Sequence, residues 1–230
     1  MLSVILPTCD EGATIEPLLQ RLAAVRTTLG EPLEVLVVDK ASADGTADIA
    51  RTVLQQETLG RVVAGGETYD LAQAVHYGIH QAQGDLIGVM DADLSHPPEL
   101  LPQLVRAVRA GCHVAIASRY VPGGGVNGWP WQRRLLSRLG NGLARPLVPV
   151  ADAMSGYFVC QAQVAKSLPL QPRGFKILLE LLVAGQLRHV REIPYVFHER
   201  QRGVSKLSQR VLWCYLMQLV RLYGRHVRRG

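Results

Sequence analysis

The 230-residue chain has no apolar run near the roughly 18 residues that a membrane-spanning helix needs. Its start, MLSVILPTC, lacks a basic opening, a long apolar stretch and a small-residue cleavage pattern, so no secretory leader is expected. Cysteine is sparse. Cys9, Cys112, Cys160 and Cys214 form no C-x-x-C pair, which argues against a zinc site or a disulfide frame and predicts reduced thiols in a cytosolic protein. No G-x-G-x-x-G follows the first apolar segment, which disfavours an NAD oxidoreductase. There is no internal repeat, no low-complexity segment and no linker that would split the chain. From Arg200 to the end there is also no acid, while Arg200, Arg202, Lys206, Arg210, Arg221, Arg225, Arg228 and Arg229 carry much of the net charge of +6. Such a tail suits an anionic partner (nucleic acid, phospholipid or a phosphorylated substrate) or is simply a solvated end.

The first 120 residues alternate short apolar runs with segments of helical spacing. LSVILP, LEVLVVD, GRVVAG, DLIGVMDAD and HVAIASRY read as strands, and the stretches between them as helices; Ile15, Leu18, Leu19, Leu22 and Val25 share one helical face. Continuous apolar strands separated by helices predict an α/β fold, Rossmann-like, with a mostly parallel sheet covered by helices on both faces. Beyond Tyr120, VPGGGVNGWP reads as a mobile loop and WQRRLLSRLGNGLARPL as a basic amphipathic helix. A strand in DAMSGYFVC, a helix in GFKILLELLVAG, one final strand in VREIPYVFHER and a C-terminal helix complete the pattern.

Ligands of such sheets bind beyond the carboxyl ends of the strands. Thr8, Asp10 and Glu11, Asp39 and Asp44, Asp91 and Asp93, and Ser118 and Arg119 stand at those ends. Acids at three strand ends repel one another, and a bound cation would offset that cost. Asp91 and Asp93, two apart in an extended segment, face one side and suit Mg²⁺ or Mn²⁺ with a diphosphate completing the shell. The plainer alternative makes them loop acids, with Ser95 capping the helix that begins near Pro97. Asp39 suits a base or ribose; Asp44, Gly45 and Thr46 read as a turn and helix cap.

The segments LPTCDEG, VVDKASADGT, MDADLSHPPE, SRYVPGGGVNGW, RRLLSRLGNGLAR, DAMSGYFV, GFKILLELL and EIPYVFHERQRGVSKL follow one another in an order that resembles the family 2 glycosyltransferases of GT-A fold, specifically the dolichol (polyprenol) phosphate mannose synthases. The resemblance spans about residues 2 to 207, taken as the catalytic domain, with 208–230 a basic amphipathic helix and tail. It implies inverting, metal-dependent transfer of a sugar, mannose from GDP-mannose in the best-known members, to a polyprenyl or dolichyl phosphate. It places Pro7, Thr8, Glu11 and Asp39 at the nucleotide and Asp91 and Asp93 at Mg²⁺ or Mn²⁺ and the diphosphate. Arg119, Arg133, Ser155, Lys176, Arg200 and Lys206 fall at the acceptor phosphate; of these, Arg119, Lys176 and Arg200 also count, with the two aspartates, as catalytic. Three departures lie on the nucleotide side: Lys40 where the family has an acid, Cys9 and Asp10 where it has an aromatic and Asn, and GGETYDLAQA in place of a basic, Gly-rich stretch. The donor base is therefore open between guanine and uracil. A soluble transferase acting on a non-lipid acceptor is the second reading. No nucleic-acid module is recognisable. The expected location is cytoplasmic, peripheral at the cytosolic face of a membrane, with the last helix either in the interface or packed on the core. His96, His198, Trp129, Trp131 and Trp213 are expected to be structural or peripheral.

Overall fold

The computed structural model describes residues 1–66, 68–168, 170, 176–198 and 209–227, the side chains of 209–212 and 226–227 excepted. Four parallel strands, β1 (Leu2–Thr8), β2 (Leu33–Asp39), β3 (Gly60–Ala64) and β4 (Leu86–Val89), alternate with helices α1 (Gly12–Leu29), α2 (Thr46–Gln56), α3 (Leu71–Gln81) and α4 (Leu101–Arg109). The second half contributes β5 (Val114–Ser118), β6 (Gly125–Asn127), α5 (Trp131–Ala144), β7 (Phe158–Gln161), α6 (Ala162–Ser167), α7 (Ile177–Ala184), β8 (Val190–Pro194), β9 (Val196–His198) and α8 (Gln209–Val227). The main sheet has the order β3-β2-β1-β4-β7-β5-β8.

Side chains of the central strand divide between two cores. Leu2, Val4 and Leu6 pack with α1, α2 and α4; Ile5 joins the opposite core with α3, α7 and α8. Burial on both faces removes any need for polar alternation, hence the unbroken apolar runs. Pro7 is tolerated in this central strand because β1 pairs with β4 only through Ile5, so its missing N–H costs no ladder bond on that side. Helix α3 begins at a capping box: the Gln73 N–H donates to Asp70 Oδ1 (2.8 Å) and the Asp70 N–H to Gln73 Oε1 (2.8 Å). Such a cap contributes about 1 kcal/mol.

Strand β7 is antiparallel to both β4 and β5, so β5 runs parallel to β4, and the carboxyl ends of β1 to β5 share one rim. The reversal brings the segment preceding β7, residues 152–157, to that same rim.

Two expectations change. The 121–130 segment is not a free loop, because β6 within it pairs in parallel with β9. The expected single final strand is broken at Tyr195: β8 stays beside β5, whereas β9 leaves the main sheet to hold β6. Glycine makes the adjoining turns possible; Gly123 and Gly128 have φ of 87° and 84°.

Helix α8 packs with one face and exposes the other. Tyr215, Leu219 and Leu222 are buried, while Trp213, Met217 and Val220 are exposed. Its seat is polar as well as apolar. Buried Glu180 of α7 pairs with Arg221 (2.9 Å), and the Tyr215 hydroxyl donates to the Gly140 carbonyl of α5 (2.7 Å). Of the leucines of α8, Leu219 and Leu222 pack, Leu216 is exposed, and the Leu212 side chain lies outside the described residues.

Candidate active site

The loops after β1 and β2 are stitched together by their own acids. Buried Asp39 accepts from the Thr8 hydroxyl (2.8 Å), the Ser42 hydroxyl (2.6 Å) and the Ser42 N–H (2.9 Å). Asp44 accepts from the Gly12 N–H (2.7 Å) and the Thr46 N–H (3.1 Å), so it joins the starts of α1 and α2; Asp10 accepts from the Ala43 N–H (3.1 Å). These hydrogen bonds pull Asp44 below its usual carboxylate range despite the opposing effect of desolvation. The expectation that all these rim acids need a cation is thereby corrected: backbone N–H groups and hydroxyls satisfy Asp10, Asp39 and Asp44. Pro7 lies buried in β1, and Glu11 stands at the start of α1, its carboxylate accepting from the Thr14 hydroxyl (3.2 Å). Asp10, Ala41 and Leu94, one in each of the loops after β1, β2 and β4, have φ of 58°, 45° and 63°. Left-handed backbone at non-glycine residues costs about 1 kcal/mol or more each, and it gathers here at the rim.

Asp91 and Asp93 differ in setting. Asp91 leaves 30% of its side chain exposed, whereas Asp93 is buried. Both the N–H and the hydroxyl of Ser95 donate to Asp93 Oδ1. Ser95 therefore orients an acid and does not cap a helix; the turn that follows, Pro98–Leu100, has no side-chain cap. His96 performs a similar task for Asp91. Its Nδ1 accepts the Asp91 N–H (3.0 Å), which leaves the neutral ring's proton on Nε2, 4.0 Å from Asp91 Oδ2. The ring stacks on Tyr157 at 5.2 Å and meets Tyr195 and Phe197 edge-on.

Across from Asp91 lies Gly156. A Cβ at this position would stand 3.2 Å and 3.4 Å from the two carboxylate oxygens and 3.3 Å from His96. The missing side chain keeps a cradle open in front of Asp91. Gly156→Ala is expected to lower kcat/KM by about tenfold or more, because a displacement near 1 Å at reacting groups is that costly. The melting temperature should fall by only a few degrees. Steady-state kinetics and thermal melting on one preparation check this, and unchanged kinetics would contradict the cradle.

The site fits a hard divalent cation in its donor set. Asp91 offers an open carboxylate and Asp93 a fixed one, but among the described residues no third His, Cys, Asp or Glu joins them. Two protein carboxylates, with phosphate oxygens and water for the remainder, is the usual arrangement for Mg²⁺.

The basic side of the rim is more deeply built than its motifs suggest. Arg119 is not an open phosphate hook: its Nε and one terminal nitrogen donate to the two oxygens of fully buried Asp152, both at 2.7 Å, and its N–H donates there too (3.0 Å). This bidentate pair raises the guanidinium pKa against the opposing desolvation. Trp129 lies 5.5 Å from Arg119 and 4.0 Å beneath Arg133, so Arg133 is stacked and not merely an exposed helix arginine. Lys176 is half-buried and donates to the Met154 carbonyl (3.1 Å). Burial, then the nearby Arg119 charge, lower its pKa to about 8. Its own carbonyl accepts from Gln218 of α8 (3.1 Å), which links that helix to the site.

The structure thus gathers Asp91, Asp93, Arg119, Arg133 and Lys176 on one side of the rim, with Thr8, Glu11 and Asp39 further along it. Ser155 is a backbone strut: its hydroxyl donates to the Ala117 carbonyl (2.8 Å) and accepts the Tyr157 N–H (3.1 Å). Arg200 and Lys206 lie outside the described residues. Asp152, Gly156, Trp129 and Tyr195 contribute more than their residue types announced. The Tyr195 hydroxyl and Trp129 Nε1 are buried without a hydrogen-bond partner among the described residues, both close to the Arg119–Asp152 pair. Buried polar groups are seldom left so, and functional sites are where it happens. Their segments were visible as motifs, but nothing in the spacing tied Asp152 to Arg119.

A mostly parallel sheet whose strand-end rim holds a carboxylate pair beside a group of fixed cations defines a GT-A glycosyltransferase. Residues 3–171 match glycosyl transferase family 2, and the chain belongs to that family. It is 38% identical to the dolichol-phosphate mannosyltransferase of Pyrococcus furiosus over 96% of this chain and 63% of that one, so it spans less than two thirds of that relative. It is 35% identical to the Saccharomyces cerevisiae dolichol-phosphate mannosyltransferase over 96% of this chain and 86% of that one. The same fold occurs in glucosyl-3-phosphoglycerate synthase of Mycobacterium tuberculosis, solved with Mn²⁺, UDP and glucosyl-3-phosphoglycerate; the TM-score is 0.69 at 20% identity, over 97% of this chain and 78% of that one.

Proposed function

We propose that this enzyme transfers mannose from a nucleotide sugar, GDP-mannose before any UDP-sugar, to a polyprenyl or dolichyl phosphate, with inversion. The names of the relatives support the sugar and the acceptor. The observation that carries the reading is the open Asp91 carboxylate facing Gly156 beside the Arg119, Arg133 and Lys176 cations.

An acceptor phosphate is already an anionic nucleophile, so the site needs no strong general base. A phosphate oxygen forms the new bond to the anomeric carbon as the bond to the donor's diphosphate oxygen breaks, and the nucleoside diphosphate departs with that electron pair. Asp91 and Asp93 would hold Mg²⁺ or Mn²⁺, which when bound supplies charge neutralisation for the departing diphosphate. Binding of Mn²⁺ by the fold relative accords with this. Arg133 and Lys176 would position the acceptor phosphate behind the anomeric carbon, and Arg119, fixed by Asp152, would keep the field there positive. The ring-stacked His96 keeps Asp91 in register.

Contact with a lipid surface accords with two acid-free helices that expose apolar side chains. Trp131, Leu135, Leu139 and Leu143 do so on α5, and Trp213, Met217 and Val220 on α8. No helix of the described residues is long and apolar enough to cross a membrane.

The decisive experiment offers GDP-mannose and UDP-glucose to a short polyprenyl phosphate with Mg²⁺ or Mn²⁺. A mannosylated lipid confirms the reading; donor turnover only with a soluble phosphorylated acceptor replaces it with the second one. The pH profile should carry the mark of Lys176. Its cation is present below about pH 8 and lost above it. The kcat/KM for the acceptor should therefore decline as pH rises through about 8, and Lys176→Arg should remove the decline. Because its folded pKa lies below the ordinary 10.5, stability should rise between those two values.

A further inference from the structure

Helix α5 carries a glycine that packing does not require. Glycine inside a helix costs about 1 kcal/mol relative to alanine. At Gly140 the reason is plain, since a Cβ would stand 2.7 Å from Met154 Sδ. At Gly142 a Cβ would meet nothing within 4 Å, and its backbone is not left-handed. Gly142 lines a cavity of about 610 Å³ between α5 and the segment after β5, and Arg138 and Arg145 line it too, with the Asp152-bound Arg119 on another wall. Positions 138, 142 and 145 are four and three residues apart, so they share one helix face. The absent side chain leaves an open floor between two guanidiniums.

Both arginines are exposed and make no ion pair among the described residues. The acids bonded to two other lining residues, Arg119 and Ala151, are already engaged. Asp152 is held by Arg119, and Glu192 accepts the Ala151 and Asp152 N–H groups (2.8 and 3.0 Å). The Tyr120 hydroxyl, from another wall of the cavity, is buried without a hydrogen-bond partner among the described residues. Two unpaired guanidiniums and a phenol around a hollow match a phosphate ester, because Arg reads phosphate oxygens in pairs. The hollow far exceeds a bare phosphate, so it has room for an organic body. Alongside this face of α5 runs the exposed stripe of Leu135, Leu139 and Leu143.

We infer that the Arg138–Gly142–Arg145 cavity is a second phosphate-ester site, which shares Arg119 with the active site but none of Asp91, Asp93, Arg133 or Lys176, and that it takes the headgroup of an anionic phospholipid whose chains lie along the leucine stripe. The inference does not depend on the identity of the transferred sugar or its acceptor.

The test uses the full chain and vesicles of phosphatidylcholine with and without phosphatidylglycerol, with glycerol 3-phosphate as soluble competitor. Binding to the phosphatidylglycerol vesicles is expected to weaken about tenfold in Arg138→Ala and in Arg145→Ala, the loss of one charge-assisted phosphate contact. Gly142→Leu should weaken it as much while removing no charge, and leucine in an exposed helix position favours the fold. Arg134→Ala, which removes the same charge from an exposed position outside the cavity, should change binding by no more than about twofold. Competition by glycerol 3-phosphate would place the headgroup in the cavity. Glycerol 3-phosphate binding that depends on Arg138 and Gly142, without vesicle binding, would retain the phosphate-ester site and overturn the lipid source. Equal losses in Arg134→Ala and Arg138→Ala, or an unaffected Gly142→Leu, would reduce the effect to diffuse charge and overturn the site.

Discussion

Asp91→Asn should lower kcat/KM for sugar transfer by about three orders of magnitude while leaving the melting temperature within a degree or two. The two halves of this result have separate causes. Asparagine keeps the size of the side chain, and the backbone N–H that His96 holds is untouched, so a partly exposed position has little stability to lose. The negative charge is what disappears, at the point where a leaving diphosphate and its cation would be held. Removing one preorganised electrostatic partner of a transition state costs about 10²–10³ in rate; loss of cation affinity adds to that. Asp93→Asn should be equally inactive but less stable, because its buried carboxylate is oriented by Ser95. Measured transfer rates and melting curves for both variants decide the matter. Full activity in either would remove the carboxylate pair from the reaction.

Asp152→Ala is expected to have the largest effect on stability, about 3–5 kcal/mol, since it strands the buried Arg119 guanidinium without its carboxylate. For a chain of this length that corresponds to a fall in melting temperature of about 10 °C or more. Replacing both partners, as in Arg119→Met with Asp152→Leu, should recover much of the loss, because a buried pair exchanged for apolar side chains is often close to neutral. Activity should not recover with it. Thermal denaturation of the two single variants and the double variant provides the cycle, and transfer assays on the same samples separate the pair's structural role from its electrostatic one. A double variant as unstable as Asp152→Ala would show that packing around the pair, not the stranded charge, dominates.

Much of this architecture was legible in residue order. The alternation of apolar runs with helical spacing defines the parallel sheet, and the strand ends where such sheets bind ligands carry Asp91, Asp93 and Arg119. Hydrogen-bond partners were what remained hidden. Asp39 and Asp44 looked like members of a repulsive cluster because a string of residue types does not reveal that Thr8 and Gly12 supply donors from the neighbouring strand end and helix start, and Ser42 from the loop that Asp39 itself opens. Ser95 before Pro97 has the composition of a helix cap, yet the stronger acceptor two residues earlier claims both its donors. Arg119 resembled a phosphate hook because its carboxylate comes from a loop 33 residues away. The short β6 is masked by three glycines, the last of which, Gly125, opens the strand, and residue types alone do not announce its pairing with β9.

The reversed strand has a consequence for how the protein comes into being. When the ribosome has delivered β1 to β5, the place between β4 and β5 is still vacant, because β7 has not yet been made. Until Phe158–Gln161 inserts, β4 and β5 each present an open edge of unpaired backbone groups, the kind of surface that recruits strands from other chains. A nascent chain stalled in this interval would be the form most in need of a chaperone. Only the late insertion of β7 brings Gly156 opposite Asp91, so a truncated chain would expose its two aspartates with no cradle around them.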